Sequence, residues 1–164
     1  MRCPPPFGPS VPRPEAAIAE HLTRSPAETE QVGEALARTL GGGEVVLLSG
    51  ELGAGKTAFV RGLARGLGAD PEEVASPTFV LLTAYRGRLL LHHADLYRLA
   101  GGGDERELGL EELPGPEGVL AVEWPERLRE RPWTRVLEVQ LEHAGEDTRR
   151  IRVGPPGFRV GPSA

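Results

Sequence analysis

The spacing of apolar residues changes twice between residues 25 and 67, dividing this stretch into helix, strand and helix. Val32, Leu36 and Leu40 recur every four residues and share one helical face. Ser25-Pro26-Ala27-Glu28 precedes them as a capping box with proline at the first helical position. This predicts a helix over 25–40, ended by Gly41 to Gly43. Glu44–Ser49 is then a short apolar run, the pattern of a buried strand. Helical spacing returns with Phe59, Val60, Leu63 and Leu67, predicting a helix over 57–67 that Gly68 stops.

Shorter periods dominate afterwards. Residues 78–85 and 88–94 read as two strands of an antiparallel hairpin joined at Gly87, with Asp95 at the end of the second. Gly101 to Gly103 break the pattern, and 105–113 reads as a short acidic helix. Residues 119–122 form another buried strand that runs into Glu123-Trp124-Pro125. Residues 135–141 and 149–153 alternate as a closing hairpin around Gly145. The sum is an α/β fold, with a mostly parallel sheet and an added antiparallel portion. Residues 1–18 are a proline-rich leader expected to be disordered, with order beginning near His21. The folded domain is expected over 19–153, followed by a loose Gly/Pro-rich tail over 154–164.

Charge and composition narrow the function. A length of 164 residues suits one domain. The net charge of −5 argues against a broadly basic surface that coats nucleic acid, while leaving room for a local arginine patch. Cys3 is the only cysteine, so no disulfide can form within the chain, and a reducing, cytoplasmic setting is the simplest expectation. No apolar run is long enough to span a bilayer.

Lys56 is the only lysine, and it lies within Gly50-Glu51-Leu52-Gly53-Ala54-Gly55-Lys56-Thr57, a match to the phosphate-cradling G-x-x-x-x-G-K-[ST] loop. Every other basic residue is arginine, whose planar fork fits poorly where a compact ammonium on a flexible stem is needed. The loop follows a predicted strand and opens a predicted helix, the context the motif requires. Glu51, Leu52, Gly53, Ala54, Gly55, Lys56, Thr57 and Ala58 are therefore the candidate phosphate-binding positions. Lys56 would neutralise the outer phosphates, and the Thr57 hydroxyl would be a ligand to Mg²⁺.

Two carboxylates, Asp95 and Glu123, each follow an apolar strand and should emerge at the carboxyl edge of the sheet, where open α/β sheets bind ligands. One can hold the metal and the other can orient the attacking water; the residue pattern leaves that division open. Ser76-Pro77-Thr78 is either turn chemistry or a loop hydroxyl that senses the phosphate. His92 and His93 read as core or edge histidines, although His93 shares a strand face with Asp95. Arg127, Arg129 and Arg131 read as an exposed helix face, or more sharply as a phosphate lid or partner contact.

Taken together, several segments resemble the TsaE family of P-loop ATPases. These are the phosphate loop, Ser76-Pro77-Thr78-Phe79, His93-Ala94-Asp95-Leu96-Tyr97-Arg98-Leu99, Glu107-Leu108-Gly109-Leu110-Glu111-Glu112 and Val122-Glu123-Trp124-Pro125-Glu126-Arg127. The resemblance covers about residues 22 to 153 and implies a P-loop three-layer sandwich that binds ATP and Mg²⁺ and hydrolyses ATP slowly by itself. It implies action on two partners, TsaB and TsaD, which transfer threonylcarbamoyl to adenosine 37 of tRNAs. Contact with tRNA would be indirect, through that complex; no membrane is involved, and self-association is compatible. Carried over, Lys56 and Thr57 hold phosphate and metal, and Ser76 to Phe79, with Thr78 among the nucleotide contacts, resemble a switch segment. Asp95 resembles the metal-associated acid and Glu123 the acid needed for hydrolysis and metal binding, with Trp124 beside the site. A small-molecule P-loop kinase is the main alternative and would need a second-substrate pocket and an arginine lid. A GTP switch is disfavoured, because Asn-Lys-x-Asp cannot occur in a chain without asparagine. A scaffold that binds nucleotide without hydrolysing it is disfavoured by the two strand-end acids.

Overall fold

The strand that feeds the glycine loop is the centre of the sheet. The computed structural model describes residues 19–75, 81–99 and 108–155. Among these residues one sheet contains β1 (Ala19–Thr23), β2 (Glu44–Ser49), β3 (Leu82–Tyr85), β4 (Leu90–Asp95), β5 (Gly118–Glu123), β6 (Val136–His143) and β7 (Arg149–Gly154). Their order across the sheet is β1-β7-β6-β2-β5-β4-β3. The four strands β6, β2, β5 and β4 run parallel, and antiparallel strands extend both edges, β7 and β1 on one side and β3 on the other. The α/β class and the mostly parallel core with antiparallel additions are as the pattern predicts. Both faces of β2 are covered, which is why Val45, Val46, Leu47 and Leu48 form an unbroken apolar run and do not alternate with polar residues.

The two helices, α1 (Pro26–Ala37) and α2 (Lys56–Gly66), cover one face of the sheet. There Phe59, Val60, Leu63 and Leu67 bury against Val46, Leu48, Leu91, Ala121 and Leu141. On the opposite face Val45, Leu47, Leu120 and Val122 pack against Leu96, Leu110, Leu113, Leu128 and Trp133. Among the described residues that covering layer is built of loops and two 3-10 turns, Leu110–Glu112 and Pro125–Arg127. None of the described helices is long and apolar enough to cross a membrane.

Backbone lies against backbone where α1 crosses α2. A Cβ on Gly33 would stand 2.3 Å from the Phe59 carbonyl oxygen, and one on Gly62 would stand 2.0 Å from that of Glu30. Only glycine permits so close an approach. Arg65 and Arg61 then close the crossing by pairing with Glu30 at 2.9 and 3.6 Å. Because α2 begins at Lys56, this clamp fixes the direction from which the helix N-terminus meets the loop.

Several expected boundaries move. The capping proline and Ser25 act as predicted, with Ser25 Oγ accepting from the Glu28 N–H at 3.1 Å; Glu28 itself reaches back to the Arg24 N–H. The helix stops at Ala37, three residues before Leu40, and its buried face is Thr29, Gly33 and Ala37 because the crossing demands small residues. The strand β1 is additional to the predicted elements. Of the predicted acidic helix over 105–113, the described part is only the 3-10 turn, entered through Gly109 at φ 68° and left into Leu113-Pro114. The Arg127 to Arg131 stretch is not a helix face: it starts as a 3-10 turn and then runs irregularly. The strand β7 includes Gly154, so the loose tail does not begin there. The leader 1–18, residues 76–80 and the remaining tail 156–164 lie outside the described residues.

Gly62→Ala should destabilise the fold by about 3 kcal/mol, the scale of an overpacked contact that backbone must move to relieve. Gly41→Ala, where nothing lies within 4 Å of the new methyl group, should cost less than about 0.5 kcal/mol. Urea unfolding of the two variants checks the pair, and equal stabilities would contradict the crossing described.

Candidate functional site

Glycine at position 55 makes the site possible. Gly55 adopts φ 103° as the N-cap of α2 and offers no side chain to cap it. The first amides of the helix are thus left to whatever occupies the space in front of them, and that end of a helix favours an anion. A cleft of about 420 Å³ lies there, lined by Leu52, Gly53, Gly55, Lys56, Thr57 and Ala58 from the loop and helix. Asp95, Tyr97 and Arg98 line it from the end of β4, and Glu123 and Trp124 from the end of β5. Glu51 and Ala54 belong to the same loop, held by the Ala54 N–H donating to the Glu51 carbonyl at 3.0 Å. The structure therefore brings the loop positions together with Asp95 and Glu123. Thr78, with Ser76, Pro77 and Phe79, lies outside the described residues.

Lys56 is folded back onto its own loop. Its Nζ donates to the Gly50 and Glu51 carbonyls, the latter at 2.9 Å, and sits 4.2 Å from the centre of the Trp124 ring. Burial pushes its pKa below the ordinary lysine value, and the nearby carboxylates Glu123, Glu126, Asp95 and Glu51 oppose that shift. Trp124 holds its place through an unusual backbone. It is the one non-glycine residue with positive φ among the described residues, at 62°, and its N–H donates to Leu48 O at 3.2 Å. Its ring also meets that of Tyr97 at 4.9 Å between centroids.

Asp95 and Glu123 stand side by side because they are register partners at the ends of β4 and β5. Both are buried, at 7% and 3% exposure, in a setting where an isolated carboxylate would be costly. Asp95 accepts from the Tyr97 N–H at 3.0 Å. Glu123 accepts from the Thr57 hydroxyl at 3.3 and 3.4 Å and meets His93 Nε2 at 2.6 Å. One hydroxyl and two carboxylates lining the same cleft form the hard oxygen donor set that suits Mg²⁺, which keeps several waters and takes one or two carboxylates plus phosphates.

His93 is closer to the site than a core or edge histidine need be. It is fully buried and bonded to Glu123, while its neighbour His92 faces the other way, half-buried. Tyr97 and Arg98, present in the sequence only as members of the His93 to Leu99 motif, also line the cleft. A second, smaller cleft of about 160 Å³ shares Gly53, Gly55 and Ala58 with the first and is completed by Ser25, Pro26, Thr29, Asp147 and Arg149. Arg149 ties the β6–β7 turn to the loop, donating to Gly53 O at 3.3 Å. The arginines after β5 are engaged elsewhere: Arg131 pairs with Glu138 at 3.1 Å and donates to Pro125 O, and Arg127 reaches Leu99 O.

The family model and the curated relatives agree on one family. The family model described as "Threonylcarbamoyl adenosine biosynthesis protein TsaE" matches residues 23–151. The tRNA threonylcarbamoyladenosine biosynthesis protein TsaE of Treponema pallidum is 42% identical over 132 residues, covering 80% of this chain and 97% of its own. The Bacillus subtilis protein of that name is 38% identical over 138 residues, covering 84% and 85%. Among solved structures, the crystal structure of Bacillus subtilis YdiB superposes with a TM-score of 0.68 at 32% identity, covering 85% of this chain and 86% of that one.

A single lysine makes its state directly observable. In protein labelled with ¹³C only at lysine, the one side-chain signal should titrate below the ordinary 10.5 in the ligand-free protein. It should move upward when a polyphosphate occupies the cleft, because a bound anion favours the ammonium form. A ligand-free titration at or above the ordinary value would contradict the burial described.

Proposed function

The chain belongs to the TsaE family, and on that footing we propose that it is the ATP-hydrolysing subunit of tRNA threonylcarbamoyladenosine biosynthesis. In this reading it binds ATP with Mg²⁺ in the cleft at the carboxyl edge of the sheet. It works in the cytoplasm on the complex of TsaB and TsaD and does not itself transfer threonylcarbamoyl. The observation that carries the reading is the meeting of Thr57 and Glu123 in front of an uncapped helix, with Lys56 and Asp95 lining the same cleft.

Each residue then has a task set by its chemistry. The amides at the start of α2 and the Lys56 ammonium bind the outer phosphates, with Lys56 exchanging the Gly50 and Glu51 carbonyls for phosphate oxygens. Thr57 and Glu123 would hold the cation, directly or through water, with Asp95 as the second acid of the pair. Bound there, Mg²⁺ would supply charge neutralisation at the phosphate oxygens. Glu123 also orients the attacking water. The smaller cleft beyond Gly53 and Gly55 takes the nucleoside end, since it shares the loop and opens beside it. The kinase alternative has weaker support, because Arg127 and Arg131, its candidate lid, are occupied in carbonyl and carboxylate contacts.

Two substitutions test the assignment. Lys56→Ala should weaken ATP binding at least about tenfold and remove measurable hydrolysis. Glu123→Gln should leave ATP affinity within about threefold while slowing turnover about a hundredfold or more, the scale on which lost positioning or electrostatic stabilisation acts. Turnover within tenfold of wild type in Lys56→Ala, read by phosphate release, would refute the loop assignment. Wild-type turnover in Glu123→Gln would remove Glu123 from the reaction.

A further inference from the structure

Behind the cleft, a line of polar side chains runs from Glu123 into the core. His93 on β4 is fully buried, and its Nε2 lies 2.6 Å from Glu123 Oε2. Beyond it, the Tyr85 hydroxyl on β3 lies 3.3 Å from His93 Nδ1, and Tyr85 is 4% exposed. Neither residue lines the cleft. The contact follows from strand geometry. His93 pairs with Ala121 in the β4–β5 ladder, so Glu123 is its diagonal neighbour on the same face, two residues further along.

As a carboxylate Glu123 only accepts, so the hydrogen between it and His93 belongs to Nε2. On the far side of the ring Nδ1 faces the Tyr85 hydroxyl, which can donate to it or accept from it. Burial pushes the Tyr85 pKa up, which keeps the hydroxyl protonated. From the other side Glu123 accepts from Thr57. Both imidazole nitrogens are thus satisfied within the core, and the carboxylate is held from behind as well as in front. Packing alone does not account for this, because an apolar side chain would fill the same space without desolvating a ring that needs two partners.

We propose that His93 and Tyr85 are positioning residues that hold the Glu123 carboxylate in one orientation toward Thr57 and the bound phosphate, in the way a second rank of hydrogen bonds orients a metal-site ligand. This rests on the reading of Glu123 given above. His93 is fully buried and does not line the cleft, so it acts through Glu123 alone, and any loss on its removal must vanish once Glu123 is gone.

A double-mutant cycle tests this. His93→Leu should slow single-turnover ATP hydrolysis about tenfold to a hundredfold with ATP affinity nearly unchanged, and Tyr85→Phe should slow it about threefold to tenfold. His93→Gln, whose amide N–H can still reach the carboxylate, should recover most of the rate. In the Glu123→Gln background neither His93→Leu nor Tyr85→Phe should slow the residual rate further, because the two positions act as one unit. Thermal melts establish that each variant is folded, and if His93→Leu is not, the cycle is run with Tyr85→Phe and His93→Gln. Losses that multiply in the Glu123→Gln background would show a general structural effect and overturn the proposal. His93 and Tyr85 variants at wild-type rate, beside an inactive Glu123→Gln, would overturn the proposal and leave the reading of the cleft standing. An active Glu123→Gln would overturn that reading, and the proposal with it.

Discussion

Thr57 and Glu123 meet because β2 and β5 keep one parallel register from Glu44 opposite Val119 to Leu48 opposite Glu123. One strand ends in the glycine loop and the other in an acid, so the register alone decides that helix N-terminus and carboxylate share a cleft. The next ladder, β4 with β5, adds Asp95 abreast of Glu123 by the same rule. A slip of one residue in either ladder would turn the acid to the other face of the sheet and empty the site. The continuous burial of β2 and β5 makes such a slip costly, since every residue of Gly118–Glu123 is buried.

The other elements make that edge rigid. The glycine-mediated crossing of α1 and α2 holds the helix whose first turn carries Lys56 and Thr57. The left-handed backbone at Trp124 turns the chain sharply after Glu123 and lays the indole beside Lys56 and Tyr97. Lys56, His93, Asp95 and Glu123 are all buried within a few residues of the sheet edge. So many desolvated polar groups are expensive for folding and are tolerated where each has a partner and a task. Membership of the TsaE family gives this arrangement a setting in tRNA modification; the cleft itself points to phosphate chemistry.

Much of this was legible beforehand, and the failures have identifiable causes. The strand into the loop, Glu44–Ser49, and the acid that ends Gly118–Glu123 follow from unbroken apolar runs and a motif whose context can be checked, and Asp95 from the end of an apolar segment that His92 and His93 interrupt. The strand β1 was not legible because Ala19-Glu20-His21-Leu22-Thr23 buries only Thr23 and carries no period-two signal. The expected face of α1 does meet the core, with Val32 and Leu36 packed against it and Leu40 buried just past the helix end, but the fully buried positions beside them, Thr29, Gly33 and Ala37, are small residues at a backbone crossing and nearly silent in an apolar pattern. The His93–Glu123 pair joins strands distant in sequence. Aligning the two strand ends by their acids would have placed His93 diagonally from Glu123, but only once β4 and β5 were known to be parallel neighbours.

We propose that this cleft hydrolyses ATP in the service of the TsaB–TsaD complex. The experiment to run is steady-state Mg²⁺-dependent ATP hydrolysis by the chain alone and after addition of purified TsaB and TsaD. Turnover by the chain alone should be slow and should rise when both partners are present. Turnover indifferent to the partners would contradict the proposal, as would transfer of the phosphate to a small acceptor at a rate exceeding transfer to water.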